Sequence, residues 1–397
     1  MTLCAYVVQK AKNGIFFLLS IMLRPSLAIP ALLFTSLVMA QSTVRLEIAA
    51  LPSYHATGSD IYIAGSFNGW NAQDPNYRFQ RTAKGEYYID LKLADGKYEY
   101  KLTRGGWDKG ECKKEGARMD NRVLQVPGES SISLSIEEWA DRFPGKPKVS
   151  TASKNVQVID TAFLIPQLKR ARRIWVYLPE GYADGKTAYP VLYMHDGQNV
   201  FDDATSYSGE WGVDEFLDST TLKKCIVVGI DNGGVKRMNE YNPYDNDRFG
   251  KGEGDLYIDF LVKTLKPFID KKYRTLKDRS NTSIAGSSMG GLISLYALLK
   301  YPAVFGGAGV FSPSIWITNK KIFDDIKSKG KKVEARIYFY AGGKEGESMV
   351  PDMQKVAEEL GKVSKSAITA SIQDEGLHNE ARWRIEFPLF YKWIMEW

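Results

Sequence analysis

Apolar segments alternate with helix-length segments from about residue 156 to the C-terminus, and this alternation constrains the fold more than any other feature. The strand-like runs include RIWVYLP, YPVLYMH, CIVVGI, AGVFS, ARIYFYAGG and SAITASIQ, and the helical segments include DLYIDFLVKTLKPFID and VPDMQKVAEELGKVS. Strands that are apolar on both faces and separated by helices predict a mostly parallel sheet covered by helices on both sides. We therefore expect an α/β domain over residues 156–397.

The front half of the chain follows a different pattern, with short runs that alternate between polar and apolar residues. These runs are TVRLEIAA, DIYIAGSF, GEYYIDLKL, GKYEYKLTR, NRVLQV and SISLSI, separated by Gly, Asn and Asp. This pattern predicts a small all-β, immunoglobulin-like sandwich over residues 41–140. The segment 141–155, DRFPGKPKVSTASKN, is rich in Pro, Lys and Ser and is predicted to be a linker.

The first forty residues have the features of an export signal. They contain no Asp or Glu, and they end in LVMA before Gln41, so that Val38 and Ala40 form a small-residue cleavage pattern. A membrane anchor is the alternative, but Arg24-Pro25 interrupts the apolar run short of the roughly 20 residues that a span needs. We predict a signal peptide at 1–40 and export to the periplasm or beyond. Translation from Met1 and from Met22 are both compatible with this signal.

Charge and cysteine content exclude several classes of protein. The net charge of +6 on 397 residues includes no basic block, so there is no electrostatic case for binding nucleic acid. The three cysteines are too few for a disulfide scaffold, and Cys225, at the start of CIVVGI, is expected to be buried. The sequence does not indicate an oligomeric state.

The segment 283–300, SIAGSSMGGLISLYALLK, has the pattern of a nucleophile elbow, a sharp strand-to-helix turn that carries a reactive serine. The residues two before and two after that serine must be small. Around Ser288 those residues are Gly286 and Gly290, whereas around Ser287 one of them would be Met289. The pattern therefore selects Ser288 as the candidate nucleophile.

A serine needs a base, and the chain has only His55, His195 and His378. In α/β hydrolases the catalytic residues follow the order serine, acid, histidine, and only His378 comes after Ser288. His55 is expected in a surface loop of the sandwich. For the acid we choose Glu345, just after the strand ARIYFYAGG, over the alternatives Glu347 and Asp374.

Two backbone N–H groups are expected to form the oxyanion hole. One belongs to Met289, directly after the nucleophile, and the other to Gln198 in the loop MHDGQNVFDD. Gly197 would allow the close approach of the backbone, while His195 and Asp196 would shape the loop.

With these residues in place, the catalytic half resembles the esterase D or enterochelin-esterase-like branch of the α/β hydrolases. The resemblance is carried in order by VLYMHDGQNVFDDATSYSGEWGVDE, IVVGIDNGGVKRMNEYNP, GSSMGGLISLYALLKYPAVFGGAGVFSPSIW, YFYAGGKEGE and GLHNEARWR. It implies a Ser288–His378–Glu345 triad that uses no metal or other cofactor. Loop residues of these blocks are expected as substrate-binding walls, namely Trp211, Asn232, Arg237, Tyr241 and Trp316.

The front half resembles the early-set module of glycogen-branching and isoamylase-type proteins, on IYIAGSFNGW and GKYEYKLTRGGW. The resemblance implies that Trp70, Trp107 and Lys101 contact a glucan. The continuation DKGECKKEGARMDNR is more charged than a glucan site would suggest. We therefore favour a structural or pocket-shaping role for the module, with glucan binding as the alternative.

Together these observations predict an exported serine esterase that forms an acyl-enzyme and removes feruloyl or acetyl groups from plant polysaccharide. Its partners would be a small or polysaccharide-linked ester and, at the front module, a glycan, with no membrane attachment after signal cleavage. Siderophore esterases, acetylxylan esterases and mycolyltransferases are related branches, so a siderophore ester substrate and acyl transfer both stay open. A non-catalytic carbohydrate-binding protein on a hydrolase fold is the alternative of another class.

Overall fold

The computed structural model describes residues 41–117, 119–128, 130–143, 149–247 and 249–395. These residues form two compact units, an N-terminal unit within 41–143 and a C-terminal unit within 149–395. The predicted signal peptide at 1–40 lies outside the described residues. Among the helices that are described, none is both long and apolar enough to cross a membrane.

The N-terminal unit is all-β, as predicted. Its strands are β1 (Gln41–Ala50), β2 (Tyr62–Gly65), β3 (Gln80–Arg81), β4 (Tyr87–Ala94), β5 (Gly96–Thr103), β6 (Glu111–Cys112), β7 (Arg122–Val126), β8 (Ser131–Ser135) and β9 (Glu138–Trp139). They pair into sheets of order β3-β4-β1-β8, β2-β5-β7 and β6-β9. Strand β1 runs antiparallel to β4 and parallel to β8.

Alternation along these strands explains the core of the unit. Every second residue of β4 is buried, and its buried side chains join those of the β2-β5-β7 sheet in one apolar cluster. His55 was expected in a surface loop, but it is half-buried in this unit. Its Nδ1 accepts a 3.0 Å hydrogen bond from the indole N–H of Trp139. His55 thus packs among aromatic side chains, and the polar residues that flank it in the sequence did not predict this.

The C-terminal unit is built on one large sheet. Its strands are β10 (Val156–Ile165), β11 (Arg170–Tyr177), β12 (Val191–His195), β13 (Ile226–Ile230), β14 (Thr282–Ser287), β15 (Gly307–Phe311), β16 (Arg336–Gly342) and β17 (Ala367–Gln373). The helices are α1 (Val213–Ser219), α2 (Arg237–Glu240), α3 (Gly254–Phe260), α4 (Lys266–Lys272), α5 (Met289–Lys300), α6 (Lys321–Lys329), α7 (Met349–Val363) and α8 (Glu380–Met395). A π-helical turn, Leu261–Leu265, joins α3 to α4.

The strand order is β10-β11-β13-β12-β14-β15-β16-β17. The pairs β10–β11 and β11–β13 are antiparallel, and every later pair is parallel. This confirms the prediction of an α/β hydrolase with a mostly parallel sheet. The antiparallel strand β10 was not among the segments that we predicted as strands.

Both faces of the sheet are covered, as the unbroken apolar strands predicted. In β12, Val191 and Tyr193 belong to one buried cluster, and Leu192 and Met194 belong to another on the opposite face. Helix α8 packs in the second cluster, while α5 and α7 pack in the first. The parallel strands end at one edge of the sheet, where ligands bind in open α/β folds.

Part of the predicted linker is hydrogen-bonded to the C-terminal unit. The hydroxyl of Ser150 donates to Asp202 (2.9 Å), and the backbone N–H of Ser153 donates to Asp214 (2.7 Å). The side chain of Asn155 donates to Asp218 (2.8 Å). Residues 149–155 are therefore part of the C-terminal unit. Their polar composition predicted a linker exposed to solvent, but carboxylates of the C-terminal unit accept hydrogen bonds from them.

Candidate active site

Ser288 occupies the turn between β14 and α5 in a strained conformation, with φ 59° and ψ −120°. A non-glycine residue rarely adopts positive φ, and this strain is the feature of a nucleophile elbow. A Cβ atom on Gly286 would lie 3.0 Å from the carbonyl carbon of Gly290 and 3.1 Å from Cβ of His195. The elbow therefore packs closely against its own helix and against His195.

Glu345 and His378 form a hydrogen-bonded pair at the same edge of the sheet. Nδ1 of His378 lies 2.8 Å from Oε2 of Glu345. The Glu345 side chain is fully buried, and its Oε1 accepts 2.8 Å bonds from the Ser312 hydroxyl and from the backbone N–H of Gly342. The imidazole of His378 is 38% exposed. Glu345, and not the alternative Asp374, is the carboxylate that holds this histidine.

Ser312 has a fixed hydrogen-bond polarity. Its hydroxyl oxygen accepts from the indole N–H of Trp383 at 3.0 Å, and its proton therefore goes to Glu345. The ring of Trp383 also packs edge-on against His378, with 5.1 Å between ring centroids. Neither Ser312 nor Trp383 was predicted, although a serine directly after strand β15 was a visible signal.

The hydroxyl of Ser288 is hydrogen-bonded to Ser314 in this structure and not to His378. Its Oγ lies 3.2 Å from Oγ of Ser314. The catalytic hydrogen bonds of enzymes without substrate are often long or misaligned and form only in the substrate complex. The arrangement thus brings together a strained serine, a second hydroxyl and a carboxylate-bound imidazole.

The two expected oxyanion donors belong to the start of α5 and to the turn that follows β12. Met289 is the first residue of α5, so its N–H has no acceptor within the helix. Gln198 lies in a 3-10 turn, Gly197–Asn199, directly after β12. A Cβ on Gly197 would lie 2.7 Å from the backbone of β13, which explains the glycine at this position. The side chain of Gln198 accepts from the backbone N–H of Asn232 at 3.2 Å.

Asp196 fixes this loop through a buried ion pair. Arg237 donates to both of its carboxylate oxygens, at 2.6 and 2.8 Å, and the side chain of Asn232 donates at 2.8 Å. Burial disfavours the charge on Asp196, but Arg237 and these hydrogen bonds outweigh burial and lower the pKa of Asp196. Asn232 and Arg237 were expected as pocket walls, and the structure places their polar groups on Asp196.

His195 is buried beneath the elbow and stays uncharged. Its Nδ1 lies 2.9 Å from the hydroxyl of Tyr257, and burial lowers its pKa to about 3. The ring of Tyr241 packs 5.2 Å from the imidazole and is itself completely buried. The expectation that Tyr241 lines the substrate pocket is therefore wrong, because its side chain fills the core below the oxyanion loop.

Trp211 was also expected at the pocket mouth, and this expectation is wrong too. Its ring is buried between Phe311 and Trp383, with ring centroids 4.9 and 5.7 Å away. Trp316 lies two residues beyond Ser314, is 46% exposed, and packs edge-on to Phe249 at 5.6 Å. Of the three predicted aromatic residues, it is the one at the surface.

Several large apolar side chains are exposed in the loops that follow the parallel strands. Each belongs to a loop after a different strand (β12, β13, β15 or β17): Tyr207, Val235, Trp316 and Leu377. Because these loops start at the edge that carries Ser288, the surface around the candidate site is rich in apolar groups.

Two of the predicted glycan contacts are neighbours in the N-terminal unit. The rings of Trp70 and Trp107 have centroids 6.2 Å apart, and both side chains are half-buried. Lys101 lies on β5, opposite Ala64 of β2. Within the residues that the structure describes, His, Cys, Asp and Glu do not gather in any group of three that could hold a metal ion.

Comparisons with known proteins show which family the chain belongs to. Residues 165–390, more than half of the chain, match the family model "Putative esterase". The chain is 29% identical over 181 residues to the uncharacterized protein YbbA of Bacillus subtilis, covering 44% of this chain and 69% of that protein.

The curated relatives with named activities include two esterases. The chain is 32% identical over 143 residues to an endo-1,4-beta-xylanase/feruloyl esterase of Xylanibacter ruminicola, covering 34% of this chain and 19% of the relative. It is 25% identical over 235 residues to the iron(III) salmochelin esterase of Escherichia coli, covering 54% of this chain and 52% of the relative. The chain thus spans about a fifth of the first relative and about half of the second.

Solved structures support the fold. The BES protein of Bacillus cereus superposes with a TM-score of 0.53 at 20% identity, covering 64% of this chain and 98% of that one. The enterochelin esterase of Shigella flexneri gives a TM-score of 0.52 at 17% identity, covering 89% of this chain and 92% of that one.

Proposed function

The chain belongs to the esterase family, and from that premise we propose that it hydrolyses carboxylic esters through an acyl-enzyme on Ser288. His378 takes the proton of Ser288 as the hydroxyl attacks the ester carbonyl, and it then passes this proton to the leaving alcohol. Backbone N–H groups of Met289 and Gln198 bind the oxyanion. The observation that carries the proposal is the strained elbow at Ser288 beside the hydrogen-bonded pair of His378 and Glu345.

The environment of Glu345 supports its role as the acid. Three donors surround its buried carboxylate, so the charge is stabilised without contact with water. A carboxylate on Nδ1 fixes the histidine tautomer and leaves Nε2 free to accept the serine proton. For the reaction, the Ser288 hydroxyl must direct its proton to His378 and not to Ser314.

For the substrate, we propose feruloyl or acetyl esters on plant polysaccharide. The relative named as a feruloyl esterase supports this choice, although the chain spans only 19% of it. The exposed apolar side chains around the site, such as Trp316 and Leu377, would suit an aromatic acyl group. The predicted export signal and the Trp70–Trp107 pair also suit a polysaccharide outside the cell.

A siderophore ester is the second candidate, and the salmochelin esterase relative supports it equally. Methyl ferulate, acetylated xylan and a ferric catecholate trilactone, assayed side by side, separate the candidates. The polysaccharide proposal predicts higher kcat/KM on one of the first two substrates. A higher kcat/KM on the trilactone would favour a siderophore ester as the substrate. An added alcohol acceptor that appears esterified in the products would indicate acyl transfer in place of hydrolysis.

The esterase proposal itself is tested with p-nitrophenyl acetate and methyl ferulate on the native protein, Ser288→Ala and the matched control Ser287→Ala. Ser287 is the adjacent buried serine at the end of β14, so its substitution changes the same segment without removing the nucleophile. We expect turnover by the native protein and the control, and none by Ser288→Ala. An inert native protein would reject the proposal and favour a carbohydrate-binding protein on a hydrolase fold.

For the N-terminal unit we propose glycan binding through Trp70 and Trp107. The double variant Trp70→Ala, Trp107→Ala should no longer sediment with insoluble glucan or xylan, while its turnover of p-nitrophenyl acetate stays unchanged. Equal sedimentation of both proteins would leave this unit with a structural role.

A further inference from the structure

One short turn contacts two members of the proposed triad. This turn, Ser312-Pro313-Ser314, follows β15. The hydroxyl of Ser312 donates to Glu345 at 2.8 Å, and the hydroxyl of Ser314 lies 3.2 Å from that of Ser288. Ser312 supports the acid in the mechanism above. Ser314 has no part in that mechanism, although it touches the reacting atom.

The position of Ser314 is fixed by the backbone on both sides. Its N–H donates to the carbonyl of Ser288 at 3.1 Å, and the N–H of Ser288 donates to the carbonyl of Phe311 at 2.9 Å. The N–H of Ser312, which has a φ of 44°, donates to Tyr340 at 2.7 Å. Ser314 is only 3% exposed. The elbow and the turn therefore form one hydrogen-bonded unit, and the contact between the two hydroxyls is built into it.

The number of protons on the two hydroxyls determines whether Ser288 or Ser314 donates during catalysis. Each serine hydroxyl has one proton and can accept through its lone pairs. When Ser288 directs its proton to His378, its Oγ can only accept from Ser314. The same is true of the acyl-enzyme, in which Ser288 Oγ is an ester oxygen without a proton. Ser314 is then the donor in the 3.2 Å contact.

We propose, resting on the serine esterase function above, that Ser314 is a further catalytic residue and that it acts in deacylation. Water attacks the acyl carbon and gives its proton to His378. The tetrahedral intermediate then breaks its bond to Ser288 Oγ, and His378 returns the proton to that oxygen. Negative charge grows on Oγ as this bond breaks, and the hydrogen bond from Ser314 stabilises it without loss of the Ser314 proton.

The same hydrogen bond gives no comparable advantage in acylation. Before acylation Ser288 Oγ is a hydroxyl oxygen, which already accepts well from Ser314, so this bond gains little strength on the way to the transition state. In the acyl-enzyme Oγ is an ester oxygen, a poor acceptor, so the bond gains much more as the oxygen departs. The two half-reactions should therefore respond differently when the Ser314 hydroxyl is removed. A residue that merely holds the elbow in shape would slow both.

The test is stopped-flow hydrolysis of p-nitrophenyl acetate by the native protein, Ser314→Ala and Ser314→Thr. For Ser314→Ala we expect a burst rate within about twofold of native and a deacylation rate lower by about tenfold, the size of one hydrogen bond. The values of kcat and KM should fall together, so that kcat/KM is retained. Ser314→Thr, which keeps the hydroxyl, should restore deacylation.

Two outcomes would overturn the inference. One is a loss of kcat/KM in Ser314→Ala as large as the loss of kcat, and the other is no change in either rate. Thermal unfolding of each variant identifies a folding defect, and Ser314→Thr then decides the question. Failure of the serine esterase function is seen separately, because it shows in the native protein and in Ser288→Ala whatever Ser314→Ala does.

Discussion

Oε2 of Glu345 and Nδ1 of His378 are joined by a 2.8 Å hydrogen bond across 33 residues of sequence. Glu345 follows β16 and His378 follows β17, two parallel neighbours that end at the same edge of the sheet. The fold therefore brings a buried carboxylate to a histidine that reaches solvent. This pair is the acid and base of the proposed reaction.

Glu345→Gln is expected to lower kcat by about a thousandfold or more with little effect on folding, because an amide no longer fixes the imidazole tautomer or stabilises its charge. The matched control is Glu347→Gln, an exposed glutamate two residues away, which should leave kcat unchanged. Steady-state hydrolysis of p-nitrophenyl acetate measures both. Near-native activity of Glu345→Gln would remove Glu345 from the mechanism.

Gly286→Ala is expected to destabilise the protein by about 1–3 kcal/mol and to lower kcat, because the new Cβ would overlap Gly290 and His195. The control is Gly361→Ala inside α7, where the nearest atom to the new Cβ is 3.9 Å away. Alanine at this position should raise the free energy of unfolding by about 0.5–1 kcal/mol, because alanine has a higher helix propensity than glycine. Urea unfolding of the two variants tests the contrast, and an unchanged Gly286→Ala protein would contradict the close packing of the elbow.

His195 should make the protein less stable in acid. Burial lowers its pKa in the folded protein to about 3, below its usual value of 6.5, among neighbours that include Asp196 and Arg237. The unfolded chain therefore binds a proton that the folded protein does not, and stability falls as the pH decreases from 6.5 towards 3. When the pH is lowered from 7 to 4.5, the His195→Gln variant should lose about 2–3 kcal/mol less of its free energy of unfolding than the native protein loses. Denaturant titrations at the two pH values measure this difference, and parallel losses would contradict it.

Asp214→Asn should stabilise the protein at alkaline pH. Burial, together with the charge of Glu215, raises the pKa of Asp214 to about 7. Glu210 and Arg384 complete this charged group.

The folded protein binds this proton more tightly than the unfolded chain, so the stability it contributes is lost as the pH rises through 7. The variant should therefore gain about 2–3 kcal/mol relative to the native protein between pH 5 and pH 8. Melting curves at the two pH values test this, and a constant difference would contradict it.

Local rules in the sequence were enough to predict the elbow and most of the longer strands. The choice of Ser288 over Ser287 rested on steric limits two residues away, and these limits are visible in the sequence as Gly286 and Gly290. Strands and helices followed from apolar periodicity, which directly reflects burial on two faces. Antiparallel β10 was missed, because six of its ten residues are exposed and its pattern is irregular.

The contacts that depend on sheet register could not be predicted. Ser314 reaches Ser288 because β15 lies beside β14 with Phe311 opposite Ser287. Trp211 is buried because Phe311 and Trp383, far along the chain, enclose it. The sequence does not distinguish a loop aromatic residue that faces a substrate from one that faces the core. Trp211 and Tyr241 were therefore wrongly predicted to line the substrate pocket.

The most direct measurement of the central claim is to label the protein with a fluorophosphonate and to map the modified peptide by mass spectrometry. The account predicts one modified residue, Ser288, with no label on Ser287 or Ser314 and no labelling of the Ser288→Ala variant. Label on another serine, or no label on a native protein that hydrolyses p-nitrophenyl acetate, would contradict it.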